Sequence, residues 1–313
     1  MKAHDFSRYD PVLEQAIAGA ASRIETMLTT QIPLSRVYVI DWLRFLSGSD
    51  DLADYYRNVP ISPMFWFPRF LEKSLNPDSS PLQPDLVYST INGYYYIRLI
   101  DNLMDRHATT ELEILPALGF FHTQFQSPYQ KYFPYHHPFW DFFRTVWFHS
   151  ADVTIMDAKS TDHDQQQFFE IASKKISAIK IPLAAVAHHY EHPELIEPWS
   201  QFVDSFGRWH QMHSDVFHWH EDLSQGVETF FLWSAHQRKS ADESVIDWAL
   251  REGFQWGLEI LNQWMAENMT LARNLESSDL TEYLVYRHNK TQEAGQKVIQ
   301  ALQSAKKISS LFS

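Results

Sequence analysis

Apolar side chains recur along nearly the whole chain at the three- and four-residue spacing of amphipathic helices, and this periodicity limits the possible folds most strongly. Strand-like alternation is scarce, and only 9 glycines occur among 313 residues. The sequence therefore predicts an all-α protein. The predicted helices span residues 11–30, 35–47, 84–107, 109–125, 137–158, 162–189, 195–222, 241–272 and 279–308.

Two proline-rich stretches interrupt this pattern. The segment 60–84 holds six prolines and the segment 127–138 holds three more, so both are predicted to be loops rather than domain linkers. Helical enzymes of this length often close around one long core. The 44% apolar content, rich in aromatic residues, is enough to line a large pocket. We therefore expect residues 1–313 to form one single-domain helical bundle around a deep central cavity.

The formal net charge of −13 excludes the class of proteins that bind nucleic acid through a basic surface, because the chain would repel the phosphate backbone. A negative protein can still bind an anionic diphosphate when its carboxylates first collect divalent cations, which reverse the local sign of the charge. The absence of cysteine excludes disulfides, thiolate zinc sites and cysteine nucleophiles.

No segment reads as a targeting or membrane-spanning element. Residues 1–11 carry several charges and lack the apolar core of a signal peptide. The most apolar stretch, 179–187, is far shorter than the ~20 residues that cross a bilayer, and it contains Lys180 and Pro182. We expect a cytoplasmic protein without a transmembrane segment. A homodimer is compatible with the sequence.

The first polar constellation lies near the end of the long apolar helix predicted over 84–107. Asp101 and Asp105 are four residues apart and share one helix face, with Arg98 and Tyr94 below them on the same stripe. Paired carboxylate oxygens suit Mg²⁺, which shares one or two carboxylates with water and substrate phosphates. A solvated acidic face explains the same spacing.

The second constellation lies on the helix predicted over 195–222. At 100° per residue its polar residues fall within one sector, surrounded by aromatic side chains. Gly207 stands on the same side, where a glycine inside a helix indicates a kink or the close approach of a bulky group. An ordinary helix crossing explains the glycine equally well. The polar members of the stripe are Gln211, Ser214, Asp215, His218 and Asp222.

Together these two segments resemble the class I isoprenoid synthases, the superfamily of trans-prenyl diphosphate synthases and terpene synthases. That superfamily carries an aspartate-rich DDxxD motif on one helix and a second metal motif on a facing helix. Residues 101–105 are similar to the first motif, with Asn102 in place of its second aspartate. Residues 207–215 are similar to the Gly-x-x-x-Gln-x-x-Asp-Asp run of the synthases, with Ser214 in place of one aspartate. Under the terpene cyclase pattern, the ligand positions fall instead on Ser214, His218 and Asp222.

The resemblance implies an all-helical synthase fold and a prenyl diphosphate substrate. It also implies three Mg²⁺ ions as cofactors, for which Mn²⁺ can substitute. The implied catalytic residues are Asp101, Asp105 and Asp215. The implied metal ligands are Asp101, Asp105, Ser214, Asp215, His218 and Asp222. The implied diphosphate-binding residues are Arg98, Lys175, Gln211 and Arg287, of which Lys175 stands where the synthases place a lysine and Arg287 belongs to a reversed Arg-Tyr pair.

Departures from the family pattern indicate the reaction. The N-terminal third lacks the Gly-Gly-Lys-x-Arg motif of chain-elongating synthases, and no arginine pair follows Asp105. The second substrate's site is therefore expected to be missing, which favours a terpene synthase that ionises one prenyl diphosphate and cyclises the carbocation. Arg44, Arg57 and Arg69 are the residues that could still supply a second anion site.

Other interpretations remain open at this stage. A prenyl transferase, either chain-elongating or coupling two prenyl chains as squalene and phytoene synthases do, is the main alternative. A non-catalytic helical binding protein is another, because Asn102 and Ser214 each replace a family aspartate. The 16 histidines, with His210, His213, His218 and His220 on one helix, suggest a redox metal enzyme, although their angular positions scatter.

Overall fold

The computed structural model describes residues 5–59, 62–104, 112–159 and 165–309, and within these ranges the chain is helical with no β-strand. The predicted all-α class is confirmed. The α-helices, numbered in chain order, are α1 (Pro11–Gln31), α2 (Arg36–Ser47), α3 (Asp54–Arg57), α4 (Pro63–Leu75), α5 (Gln83–Met104), α6 (Pro116–Gln126), α7 (Phe139–Lys159), α8 (Gln165–Lys175), α9 (Lys180–His189), α10 (Ile196–Gln225), α11 (Phe230–Arg238), α12 (Val245–Trp248), α13 (Phe254–Asn274) and α14 (Ser278–Ser309).

Proline misled the sequence-based prediction in the segment 60–84, which is not a loop throughout because it contains α4. Pro63 stands in the first turn of this helix, where its missing N–H has no intrahelical partner to lose. Pro68 lies inside the helix, yet its apolar neighbours Phe65, Trp66 and Phe70 are buried. Burial of these rings outweighs the local cost of the internal proline.

The helix predicted over 162–189 is also wrong as a single element. It is divided into α8, a 3-10 turn at Ser177–Ile179 and α9. Pro182 is consistent with the restart, because the first turn of a helix accommodates a proline without loss of a hydrogen bond and α9 begins at Lys180. The helix predicted over 109–125 begins as a 3-10 turn at Leu112–Ile114 and continues as α6. Helices α3 and α11 were not predicted, and the helix predicted over 241–272 is divided into α12, a π-helical turn at Ala249–Gly253 and α13.

Contacts divide the chain into two units, Met1–Phe143 with Ile181–Ile196 and Arg144–Lys180 with Glu197–Ser313. In the first unit, α5 packs against α1, α4 and α6. Its core is aromatic: Tyr56, Tyr95 and Phe121 are buried, and the ring centroids of Tyr95 and Phe121 are 5.4 Å apart. The packing fixes α5, and with it the first polar stripe. The prediction of one domain over 1–313 stays a prediction.

In the second unit, α10 and α13 are joined by close packing and by a hydrogen bond from Trp209 Nε1 to the Leu261 carbonyl at 3.1 Å. A Cβ atom on Gly257 of α13 would lie 2.6 Å from a Val216 methyl group of α10. Helix α13 also packs against α14. These contacts leave the polar stripe of α10 on the side away from α13. In the described part of the chain, no helix has both the length and the apolar character needed to cross a membrane.

Candidate functional site

The second polar stripe lies along α10, whose 30 residues run unbroken from Ile196 to Gln225. Its members differ sharply in exposure. Asp215 is only 2% exposed, whereas Ser214 and His218 are exposed and Gln211 and Asp222 are half-buried. The stripe therefore surrounds one enclosed carboxylate with more accessible polar groups.

Gly207 explains how a second element reaches this stripe. A Cβ atom at this position would lie 2.8 Å from the backbone oxygen of Ala172 and 3.0 Å from Cγ1 of Ile176. Both neighbours belong to the end of α8 and the turn after it. Gly207 thus permits α8 to cross α10 closely. The group whose close approach the sequence indicated at this position is the neighbouring helix α8. The crossing holds Lys175, the last residue of α8, near the stripe.

A cavity of about 410 Å³ opens beside this crossing, within the unit that contains residues 144–180 and 197–313. Five of the residues predicted from the sequence line this cavity, namely Lys175 and four residues of the α10 stripe. Its polar lining comprises Lys175, Gln211, Ser214, Asp215, Asp222, Glu228 and Thr229. Its remaining lining comprises Phe168, Ile171, Ala172, Gly226, Val227 and Phe230.

Sequence reasoning missed the wall formed by residues 226–230. Gly226 has a φ of +69°, a left-handed conformation that turns the chain away after α10. Thr229 then caps α11 by accepting a hydrogen bond from the Leu232 N–H at 3.3 Å. A glycine after a helix, followed by a threonine before an apolar run, is a recognisable helix-stop and helix-start signal. That signal would have revealed this wall.

Asp215 is the most perturbed carboxyl group of the cavity. Burial raises its pKa from 3.8 to about 7, and the nearby negative charge of Asp222 adds to the rise. Opposing contributions come from Gln211, whose Nε2 donates to Asp215 Oδ1 at 2.8 Å, and from the positive charge of Lys175. The backbone N–H of Phe230, at the start of α11, also donates to this carboxylate. Ionised Asp215 is therefore poorly solvated, and an added cation would stabilise it.

Asp222 and His218 lie in the more accessible part of the stripe, and Lys175 also acts on this part. Burial and the neighbouring Glu221 raise the pKa of Asp222, while His218 and Lys175 oppose that rise. His218 Nδ1 donates to the Ser214 carbonyl at 3.1 Å, which leaves its Nε2 as the nitrogen able to accept or ligate. Lys175 thus acts on both aspartates of the cavity.

These groups fit a divalent cation such as Mg²⁺. Carboxylate, hydroxyl and amide oxygens face one cavity, and the buried charge of Asp215 lacks sufficient solvation. In the described ranges, no group of three histidine, aspartate or glutamate side chains could hold a metal ion by itself. A bound Mg²⁺ would therefore complete its shell with water and phosphate oxygens, as this ion usually does.

The first polar stripe lies on α5 in the other unit. Arg98 is exposed, Asp101 is half-buried, and Tyr94 forms a hydrogen bond with Tyr55. The positive charge of Arg98 acts on the Tyr94 hydroxyl, in agreement with their predicted position on one face. Asp105 lies outside the described residues. The predicted metal pair of Asp101 and Asp105 therefore stays a prediction.

Arg287 is not among the residues that line the cavity. It is 5% exposed on α14, where its Nη1 donates to the Tyr283 hydroxyl at 2.9 Å. Its guanidinium carbon lies 5.1 Å from the Trp209 ring centroid and 5.7 Å from that of Phe206. These rings enclose the cation. The role of Arg287 in binding a diphosphate stays a prediction.

Two of the four histidines of α10, His210 and His213, are partly buried and pack against aromatic rings. Burial and the positive charge of Arg287 lower the pKa of His210 to about 3 and that of His213 to about 4. His210 stacks on Phe206, and His213 stacks on Phe217 with centroids 4.6 Å apart. Both rings are therefore neutral at physiological pH and behave as aromatic core residues. Their arrangement gives the redox metal interpretation no support.

Comparisons with known proteins found a similarity among solved structures and none at the level of sequence. No protein-family model matches the chain, and no curated protein matches its sequence. Among solved structures, the chain is similar to a geranylgeranyl pyrophosphate synthetase from the archaeon Geoglobus acetivorans, with a TM-score of 0.59 and 13% sequence identity. The match covers 90% of this chain and 99% of the archaeal chain. The expected resemblance is thereby confirmed at the level of the fold.

Proposed function

We propose that this chain, which has the all-helical fold of the isoprenoid synthases, is a Mg²⁺-dependent terpene synthase acting on a single prenyl diphosphate. The observation that carries the proposal is the cavity beside α10, where a desolvated carboxylate, a lysine and an apolar wall meet. A prenyl diphosphate has the same division into a charged head and an apolar tail. Release of pyrophosphate and cyclisation or rearrangement of the carbocation would follow ionisation.

Lys175 is assigned to the diphosphate head, because this exposed residue lines the cavity and its charge acts on the cavity aspartates. Asp215, Asp222 and Ser214 would hold Mg²⁺, with His218 at the accessible end of the stripe. Bound Mg²⁺ supplies neutralisation of the negative charge that develops on the leaving diphosphate. Gln211 orients the Asp215 carboxylate through their hydrogen bond.

The apolar wall suits the tail of the substrate. Phe168 stacks on Phe230 with ring centroids 4.8 Å apart, and Phe168 also stacks on Trp264 at 5.9 Å. Aromatic faces stabilise cationic carbon through their quadrupoles, and apolar walls exclude the water that would quench it. We therefore assign Phe168 and Phe230 to the stabilisation of the carbocation.

The arginines that could have formed a second anion site are already paired with carboxylates. Arg57 contacts Glu14, Asp51 and Asp54 at 2.6–2.9 Å. Arg69 contacts Asp10 at 2.9 Å, and Arg44 contacts Asp50 at 3.3 Å. Their positive charge is largely compensated within the protein. This pairing supports an enzyme that takes one diphosphate substrate and not two.

The deciding experiment is incubation with geranyl, farnesyl, geranylgeranyl and longer diphosphates in the presence of Mg²⁺. We expect pyrophosphate release together with a hydrocarbon or alcohol product detected by mass spectrometry, and loss of both after EDTA treatment. Restoration by Mn²⁺ would support the metal assignment. Full turnover after exhaustive chelation would disprove it.

A second arm separates the cyclase from the prenyl transferase. With an allylic diphosphate and labelled isopentenyl diphosphate, the enzyme should leave the label unincorporated. Label in a longer prenyl diphosphate would establish chain elongation instead. Coupled C–C products from two allylic chains would indicate a squalene or phytoene synthase-like reaction. Binding of diphosphates without any turnover would identify a binding protein.

A further inference from the structure

Asp204 extends the polar stripe of α10 towards the start of this helix. At 100° per residue it falls within the same sector as Gln211, Asp215 and Asp222. Asp204 is not among the residues that line the cavity. Its carboxylate forms an ion pair with the Lys180 ammonium group, with Nζ and Oδ1 2.6 Å apart. The stripe therefore meets a second lysine, to which the proposed function assigns no role.

The ion pair is well enclosed on the side of the lysine. The Lys180 side chain is 13% exposed and that of Asp204 is 38% exposed, and both residues belong to the unit of residues 144–180 and 197–313. An ammonium group of such low exposure has lost much of its hydration and depends on a partner of opposite charge. Loss of the Asp204 carboxylate would therefore release the Lys180 side chain from its place on α10.

The segment 172–180 contacts α10 at two points. The first is the close approach of the end of α8 to Gly207. The second is the ion pair of Lys180 with Asp204, which lies three residues earlier on α10. Later residues of the segment thus contact earlier residues of α10, so the two run antiparallel. The ion pair, five residues after Lys175, holds the segment at its far end.

No continuous α-helix joins Lys175 to Lys180. Helix α8 ends at Lys175, and the 3-10 turn Ser177–Ile179 precedes α9. The Ser177 hydroxyl closes the end of α8 by donating to the Lys174 carbonyl at 2.7 Å, a contact within the segment itself. The axial position of the segment along α10, its register, therefore depends on contacts with α10. A slip by one helical turn would move Lys175 by about 5 Å.

We propose that Lys180 and Asp204 are positioning residues that hold Lys175 at the depth of the cavity where it meets the diphosphate. The ligand is that of the proposed function, on which this role rests. Lys174 shows the contrast, because its ammonium group pairs with Glu170 at 2.7 Å within α8. That pair joins two residues of one helix and has no means of fixing the helix against α10.

The first test measures the register without any ligand. The chain contains no cysteine, so Lys175→Cys and Ser224→Cys place exactly two nitroxide labels, one at the end of α8 and one near the end of α10. Double electron–electron resonance should give a distance distribution that widens roughly twofold when Asp204→Asn or Lys180→Met is added. Glu170→Gln, which removes the ion pair within α8, is the matched control and should leave the distribution unchanged.

Asp204→Asn is the milder of the two variants, because the Asp204 side chain is the more exposed partner. It therefore carries the test if Lys180→Met does not fold. A distribution that Asp204→Asn leaves unchanged would overturn the proposal. An equal widening by the Glu170→Gln control would overturn it as well.

The second test is isothermal titration with inorganic pyrophosphate in the presence of Mg²⁺. Asp204→Asn should weaken binding about tenfold, whereas the same substitution in a Lys175→Met background should change it by less than about twofold. Lys180→Arg keeps the positive charge and should retain wild-type affinity. Equal losses in both backgrounds would show that the ion pair does not act through Lys175, which would overturn the proposal.

Turnover supplies a further readout that a purely structural role would not move. Asp204→Asn should raise KM about tenfold with kcat within about twofold of wild type, because Lys175 contacts the diphosphate in both the bound substrate and the transition state. A loss confined to kcat would contradict this role.

The two tests separate this role from the proposed function. A wild-type protein that binds no pyrophosphate, but whose label distances respond to Asp204→Asn, would refute the diphosphate site and support the register role of the ion pair. Label distances that do not respond, in a protein that binds pyrophosphate, would refute the register role and leave the diphosphate site in place.

Discussion

The polar stripes of α5 and α10 obey the same spacing rule, yet the protein surrounds them differently. On α5, Arg98 is exposed and Asp101 is half-buried. On α10, Asp215 is almost fully buried beneath the α8 crossing and the first turn of α11. Spacing determines which side chains share a helix face, whereas burial depends on what packs against that face. The two stripes therefore have the same pattern but different electrostatics.

The difference in burial affects the free energy needed to ionise the carboxylates of α10. The carboxylate of Asp215 is costly to ionise before any ligand arrives, because burial raises its pKa to about 7. Sites that bind charged ligands commonly hold groups that the fold alone would not favour. The α10 stripe is thus expected to show a conflict between function and stability that the α5 stripe does not show.

The largest expected effect would show that α5 matters for turnover as much as α10 does. Asp101→Ala and Asp215→Ala should each lower turnover by about 1,000-fold if both carboxylates hold Mg²⁺ as proposed, because each variant would then lack an oxygen ligand that stabilises charge in the transition state. Pyrophosphate release at saturating Mg²⁺ measures the effect. Asp78→Ala, an exposed aspartate outside both stripes, is the control. An Asp101→Ala variant that keeps more than a tenth of wild-type turnover would remove α5 from the mechanism.

The helix crossing that buries the α10 stripe is tested by two glycine substitutions. Gly207→Ala should lower the free energy of unfolding by about 2–3 kcal/mol, because its methyl group would clash with the Ala172 backbone oxygen at 2.8 Å. It should also raise KM by displacing Lys175. Gly19→Ala in α1 meets nothing within 4 Å and should raise stability by about 0.5–1 kcal/mol. Urea unfolding followed by far-UV circular dichroism measures both, and equal effects would contradict the close crossing.

The partly buried His210 of α10 predicts a dependence of stability on pH. His210 has a folded pKa of about 3, below its ordinary 6.5, so the unfolded chain binds the proton more readily. Its contribution is present above pH 6.5 and is lost as the pH falls towards 3. His210→Phe should therefore reduce the acid destabilisation by about 1.4 kcal/mol per pH unit, or about 2 kcal/mol at pH 5. Denaturant unfolding at several pH values measures this, with the exposed His220→Phe as control. Identical pH profiles for both variants would place His210 in solvent.

The smallest effect has the opposite sign and applies to the stripe itself. Asp215 has a folded pKa of about 7 and an ordinary value of 3.8, so it favours the folded state below pH 3.8 and loses this contribution as the pH rises through 7. Asp215→Asn should therefore increase stability by about 1–2 kcal/mol at pH 8, because the ~4 kcal/mol that the pKa rise represents is partly offset by lost hydrogen bonds to the carboxylate, and by little below pH 4. Asp101→Asn, on the less buried stripe, should change stability by less than about 0.5 kcal/mol. Thermal unfolding at pH 4 and pH 8 measures both; a destabilised Asp215→Asn protein at pH 8 would show that its carboxylate is structural.

The success of sequence reasoning followed the strength of the local signal. The long periodic helices α1, α5, α10, α13 and α14 were predicted within several residues of their observed bounds, except that the start of α13 was predicted too early. Helix α4 was missed because its prolines were taken as evidence for a loop despite its apolar periodicity. In the protein, burial of the aromatic side chains offsets the cost of the internal proline. Helix α11 was missed because a nine-residue helix offers too few turns for a clear period.

The sequence by itself determined the all-helical class and the stripe of Gln211, Ser214, Asp215 and Asp222. Each of these depends on spacing of a few residues along one chain, which a helix converts directly into a shared face. Only the tertiary structure decided that Asp215 is buried, that Gly207 admits α8, and that Phe168 and Glu228 line the same cavity. It also decided that Arg287 is enclosed by aromatic rings. These outcomes depend on contacts between residues up to about 80 positions apart. Such contacts set solvation and pKa values, and no local pattern specifies them.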